Sequence, residues 1–141
     1  MQRGATTILI ADGDTVWVNS MARLLEAHGY QILQARTGVD ALYQARMRRP
    51  DLVLLDPNLS QLSGWDVCKQ LKRSPEMQSI KIVFLTQKGE SAYQKGADGY
   101  LDKGGQVGSN LPRLQVFRPP AEGILAELLR RRAAAASFSG L

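Results

Sequence analysis

A chain of 141 residues suits one domain rather than two, and a 44% hydrophobic content is enough to fill a core without staples. The single cysteine, Cys68, excludes an internal disulfide framework and any multi-cysteine metal site, and the single histidine, His28, excludes a histidine dyad or cluster within one chain. The net charge of +5 gathers partly in Arg46, Arg48 and Arg49 and in Arg130, Arg131 and Arg132, each group near the end of an expected helix, where the dipole favours cations. No nucleic-acid-binding module accompanies them, so direct nucleic-acid binding is not expected.

No apolar run approaches the ~20 residues of a membrane helix. The opening MQRGATTILIAD has too short an apolar stretch for a signal peptide, which points to a cytoplasmic protein without membrane contact. In chain order, Thr7–Ala11 is a short β-forming run. Thr15–His28 follows with Trp17, Met21, Leu24, Leu25 and His28 at helical spacing, and Gly29 stops it. Tyr30–Ala35 reads as the second strand. Thr37 is placed to cap a helix over Gly38–Arg48, with Ala41, Leu42 and Ala45 inward and Pro50 ending it.

Leu52–Leu55 is apolar at every position, as in a strand covered on both faces. After the loop PNLSQLSG, Ser63 can cap a helix over Gly64–Arg73 whose inner face is Val67, Cys68 and Leu71. Ile80–Leu85 is a fourth strand, Gly89–Lys95 holds at most two helical turns, and Gly99–Leu101 is a short fifth strand. Residues 104–118 read as an inserted loop, Pro119–Arg132 as a last amphipathic helix, and 133–141 as a flexible tail or the start of a linker; 1–132 then form the single domain. Alternating strands and helices predict a doubly wound, five-stranded parallel sheet in the order 2-1-3-4-5, with helices on both faces.

In that order the residues after four of the strands converge: Asp12, Asp56, Thr86 and Lys103. A carboxylate can attack a phosphoryl donor to give an acyl phosphate, and phosphoryl transfer is mostly positioning and charge stabilisation. Mg²⁺ takes one or two carboxylates and keeps several waters. Asp12, Asp56 and the carbonyl of Asn58 can supply its ligands, Lys103 can neutralise phosphate oxygens, and Thr86 can donate a hydroxyl hydrogen bond to them. A flavin or nucleotide site is disfavoured, because ADGDTVW puts carboxylates where a phosphate loop would be needed.

The segments ILIADGD, DLVLLDPNLSQLSGWDVCKQL, IKIVFLTQKGE and GADGYLDK resemble, in order over roughly residues 6–103, the receiver domains of bacterial two-component response regulators. The resemblance implies Asp56 as phosphoacceptor, Asp12 in the acidic Mg²⁺ pocket and Asn58 lending its carbonyl. It implies Thr86 as switch hydroxyl, Tyr100 as switch aromatic and Lys103 as phosphate-binding lysine. The implied partners are a sensor histidine kinase or phosphotransfer protein upstream and an output protein or domain downstream, with no enzymatic activity beyond self-phosphorylation and self-dephosphorylation.

Three departures qualify this. Gly13 stands where the family usually has a second acid, so weak Mg²⁺ binding is expected; Asp14, one residue on, either reaches the ion or caps the first helix. Gly104-Gly105 replaces the proline expected after the lysine and loosens that loop. The stretch from Thr86 to Lys103 is about five residues short, roughly one and a half helical turns. A monomer or a non-standard homodimer is therefore expected, and the competing reading is a degenerate receiver that binds a partner regardless of phosphorylation.

Overall fold

The computed structural model describes residues 6–86 and 96–101. Within them β1 (Thr7–Ala11), α1 (Thr15–Glu26), β2 (Gln31–Ala35), α2 (Gly38–Arg48), β3 (Leu52–Leu55), α3 (Gly64–Arg73), β4 (Lys81–Leu85) and β5 (Gly99–Leu101) follow in order. The five strands form one parallel sheet in the order β2-β1-β3-β4-β5, as anticipated. The short helix expected over Gly89–Lys95, the helix over Pro119–Arg132, the inserted loop 104–118 and the tail 133–141 lie outside the described residues.

Strand residues alternate between two cores. Ile8, Ile10, Leu52, Leu54, Val83 and Leu85 face α1, meeting Trp17, Val18, Met21 and Leu25. Leu9, Ala11, Val53, Leu55, Ile82 and Phe84 face α2 and α3, meeting Ala41, Leu42, Ala45, Val67, Cys68 and Leu71. Helices therefore cover both faces, and β3, buried at all four positions, is apolar throughout for that reason. Cys68 is a fully buried core residue. No helix among the described residues is long and apolar enough to cross a membrane.

The helix caps are the expected ones. Thr37 accepts from the Asp40 N–H at 3.1 Å and Ser63 from the Asp66 N–H at 3.2 Å. Helix α1 ends at Glu26, two residues before the expected His28. Its last turn tightens: His28 N–H donates to Leu25 O at 3.0 Å and Gly29 N–H to Glu26 O at 2.9 Å, with Gly29 at φ 90°. Tyr30 and Ile80 precede their strands rather than opening them.

The amino end of β5 is anchored by a network that no periodicity reveals. Lys72 Nζ donates to Asp98 Oδ2 and Ile80 O, both at 2.9 Å, and to Gln78 O at 3.1 Å. Asp98 Oδ2 also accepts the Ile82 N–H at 2.9 Å, tying α3, β4 and β5 together at the end of the sheet opposite the candidate site.

Candidate functional site

Asp12, Asp56 and Thr86 each sit just past a strand, on a backbone held by the last rung of the sheet. Asp12 N–H donates to Ala35 O of β2 at 3.0 Å, Asp56 N–H to Ala11 O of β1 at 2.9 Å, and Thr86 N–H to Leu101 O of β5 at 2.7 Å. Because β1 and β3 are neighbours with Ala11 opposite Leu55, the two aspartates leave the sheet side by side. Asp12 is 1% exposed and is the buried charged side chain among the described residues; Asp56 and Thr86 are half-buried.

The two carboxylates are oriented in the same way. Asp12 Oδ1 accepts the Asp14 N–H at 2.8 Å, and Asp56 Oδ1 accepts the Asn58 N–H at 2.9 Å. Each aspartate thus folds back on the backbone two residues on, in an Asx turn that fixes its carboxyl group. The turn also gives Asp12 a strong donor, which offsets part of the cost of a buried charge.

Asp14 completes a chain of contacts into α1. Its own Oδ1 accepts the Trp17 N–H at 3.1 Å, so the residue caps the helix, one of its two expected roles. Gly13 is exposed, and the nearest atom to a Cβ placed there is Arg36 O at 4.0 Å. The position has room for a side chain and lies outside the left-handed region, so neither crowding nor backbone strain demands glycine.

Beyond Asp56 the loop turns back on itself. Gly64 N–H donates to Pro57 O at 3.0 Å, and a Cβ at Gly64 would overlap the Asp56 carbonyl. Glycine is required there because α3 starts against the backbone of the phosphoacceptor candidate. The loop also clamps α2: Gly38 N–H donates to Ser60 O at 3.0 Å, Thr37 bridges Ser60, and a Cβ at Gly38 would overlap the Leu62 carbonyl. The side chain of Trp65 lies on Phe84 of β4, ring centroids 4.2 Å apart and tilted by 44°, and Phe84 pairs with Tyr100 of β5.

The structure therefore brings Asp12, Asp56 and Asn58 together on adjacent loops. It sets Thr86 at the end of β4 and half-buried Tyr100 within β5. Lys103 lies outside the described residues. Among the described residues no group of three or more His, Cys, Asp or Glu side chains could hold a metal ion.

A model of the response regulator receiver domain matches residues 8–110. The chain belongs to this family. Among its relatives, the polar-differentiation response regulator DivK of Brucella anthropi is 34% identical over 102 residues, covering 69% of this chain and 83% of the relative. Protein PilH of Pseudomonas aeruginosa is 33% identical over 101 residues, covering 68% and 84%. A crystallised response regulator from Chloroflexus aurantiacus superposes with a TM-score of 0.64 at 30% identity, over 69% of this chain and 84% of that one. The receiver domain of sensor histidine kinase PA1611 from Pseudomonas aeruginosa, solved with a magnesium ion in its active-site cleft, shares the fold with a TM-score of 0.67 at 22% identity, over 91% and 97%. Receiver domains are signalling domains, and the fold and family expected from the sequence both stand.

Proposed function

We propose that the chain is a phosphoacceptor switch in two-component signalling, with Asp56 taking a phosphoryl group from the phosphohistidine of a sensor kinase or phosphotransfer protein. The supporting observation is the pair of strand-end aspartates, Asp12 and Asp56, each fixed by the last rung of the sheet and by its own Asx turn. An Asp56 carboxylate oxygen attacks phosphorus, the donor's phosphorus–nitrogen bond breaks with its electron pair staying on nitrogen, and an acyl phosphate forms on Asp56. Asp12, Asp56 and the carbonyl of Asn58 would hold Mg²⁺, all hard oxygen donors suited to it. Bound there, Mg²⁺ would supply neutralisation of the negative charge at the site. With Gly13 in place of a further acid and Asp14 engaged at α1, its affinity is weak.

Lys103 takes the role of phosphate-binding cation. Phosphorylation brings a charge of about −1.5 to −2 and three strong acceptors. The Thr86 hydroxyl donates to them in a hydrogen bond worth about 1.5–3 kcal/mol, enough to shift a two-state equilibrium about ten- to a hundredfold. Tyr100, beside Phe84, moves into the space Thr86 leaves, and a downstream protein or domain reads the altered surface. The chain modifies only itself, by self-phosphorylation and self-dephosphorylation.

One observation favours a second reading. Gly13 has open space for a Cβ, and no crowding explains the missing acid, which suits a degenerate receiver that binds a partner whatever the state of Asp56. Intact-mass measurement after incubation with Mg²⁺ and a small-molecule phosphodonor separates the two. The switch requires a gain of one phosphoryl group in the wild type and none in Asp56→Ala; an unmodified wild type selects the degenerate module.

A further inference from the structure

The large hydrophobic side chains exposed among the described residues are Val16, Val39, Tyr43 and Met47, and the last three lie on α2 at successive spacings of four. At about 100° per residue each step of four turns the position by about 40°, so Val39, Tyr43 and Met47, 51%, 62% and 64% exposed, form one slanting stripe within about a quarter of the helix circumference. The opposite face of α2 is already used: Gly38, Ala41, Leu42 and Ala45 are buried against the sheet. A surface helix ordinarily sets charged residues opposite its core face, and a second apolar stripe there marks a place where something docks.

The surroundings of the stripe define the occupant. Arg46, Arg48 and Arg49 stand at its carboxyl end against one acid, Asp40, at its amino end. Asp40 Oδ2 accepts from Gln44 Nε2 at 3.0 Å, while Arg46 reaches Gln70 of α3 at 3.2 Å. Arg49 pairs with Glu76 at 3.2 Å, but both side chains are mostly exposed and little of the field is cancelled. Three side chains offer at most a few hundred Å², against about 800 Å² per partner in a standard interface, and a second copy would bring the same arginine cluster and the same +5 charge. Both points argue against a homodimer through this face. The size matches one helix laid along another, with its apolar face on the stripe.

We infer that the α2 face of Val39, Tyr43 and Met47 is a docking surface for an acidic amphipathic helix of a partner protein. Such a helix sets two or three aliphatic side chains on the stripe and carboxylates beside the arginines. This surface lies away from Thr86 and Tyr100, and its use does not depend on phosphorylation of Asp56.

The test uses the full chain and a synthetic 18-residue helical peptide with leucines on one face and glutamates on the other, with a lysine-for-glutamate version as control. Amide chemical shifts and calorimetry are followed at two salt concentrations. The expected result is shift changes clustered on α2, affinity that falls with salt, and no binding of the lysine peptide. Tyr43→Gln and Met47→Gln should each weaken binding about tenfold and Arg46→Glu should remove most of the salt dependence, while Val16→Gln on α1 changes nothing. All four positions are exposed, and circular dichroism checks each fold. Shifts centred elsewhere, equal binding by the Tyr43 and Met47 variants, equal binding of the lysine peptide, or a concentration-dependent dimer abolished by Met47→Gln would each overturn the assignment.

Discussion

Gly13→Asp should convert a weak cation site into an ordinary one. The position is exposed and outside the left-handed region, and a Cβ there meets nothing nearer than Arg36 O at 4.0 Å. At about 4 Å and in a water-like dielectric one charge pair contributes about 1 kcal/mol, and a divalent ion doubles that. A gain of about 2 kcal/mol is about thirtyfold in affinity. Intrinsic fluorescence is a suitable assay because both tryptophans are wired to the site. The Trp17 N–H is capped by Asp14, whose own N–H binds Asp12, and Trp65 follows Gly64, whose N–H binds Pro57 beside Asp56. The wild type should half-saturate with Mg²⁺ in the millimolar range or above, Gly13→Asp about thirtyfold lower, and Asp12→Asn should show no saturable signal. Sub-millimolar binding by the wild type, or a gain in the variant under about threefold, would refute the view that Gly13 limits the affinity.

Gly64→Ala should cost more than about 3 kcal/mol in urea-induced unfolding, since its methyl group meets backbone rather than a yielding side chain; a loss under about 1 kcal/mol would mean the loop after Asp56 yields easily. Lys72→Met should destabilise by about 2 kcal/mol by leaving Asp98 without its closest cation, and wild-type-like unfolding would show the network to be idle. The Tyr30 hydroxyl is buried without a hydrogen-bond partner, and burial raises its pKa above the usual 10.0. The folded state therefore holds this proton more tightly than the unfolded one, so stability is intact below pH 10.0 and declines above it. Tyr30→Phe should unfold at equal or higher urea at neutral pH and lose that part of the alkaline decline; a less stable variant would mean the hydroxyl is satisfied.

The parts of this molecule that were legible in the sequence are those set by period and punctuation. Leu52–Leu55 announces a strand buried on both faces by having no polar residue, and Thr37 and Ser63 announce helix starts because few other side chains can accept an orphan N–H. The strand order followed from alternation, and with it the side-by-side positions of Asp12 and Asp56 after β1 and β3. What stayed hidden depends on partners distant in sequence or on backbone geometry. Lys72 and Asp98 are 26 residues apart and read individually as solvated charges. Gln61 adopts φ 69° with no glycine or asparagine to signal it. The paired Asx turns were readable in principle, since an aspartate followed two residues on by a loop N–H is their usual cue. The inner face of α2, Ala41, Leu42 and Ala45, was legible, but the sequence alone does not say whether another element covers Val39, Tyr43 and Met47, and only the structure shows them exposed.

The twin turns also bear on what the absence of an acid at Gly13 means. Ordering a loop to build a binding site consumes conformational entropy, so a site that must be assembled binds more weakly than one already in place. Here Asp12 and Asp56 are already held by Asx turns to the N–H two residues on and by the ends of β1 and β3, so a cation or phosphoryl group bound between them would order little of these two loops. A deficit left by Gly13 would then be electrostatic rather than organisational. An electrostatic deficit can be met by concentration, by a donor that brings its own cation, or by one substitution, whereas a site whose carboxylates had to be assembled would need several changes at once. The retained geometry thus weighs toward a receiver with reduced affinity over one whose chemistry has decayed, because decay relaxes the loops that hold a site as well as the charges within it.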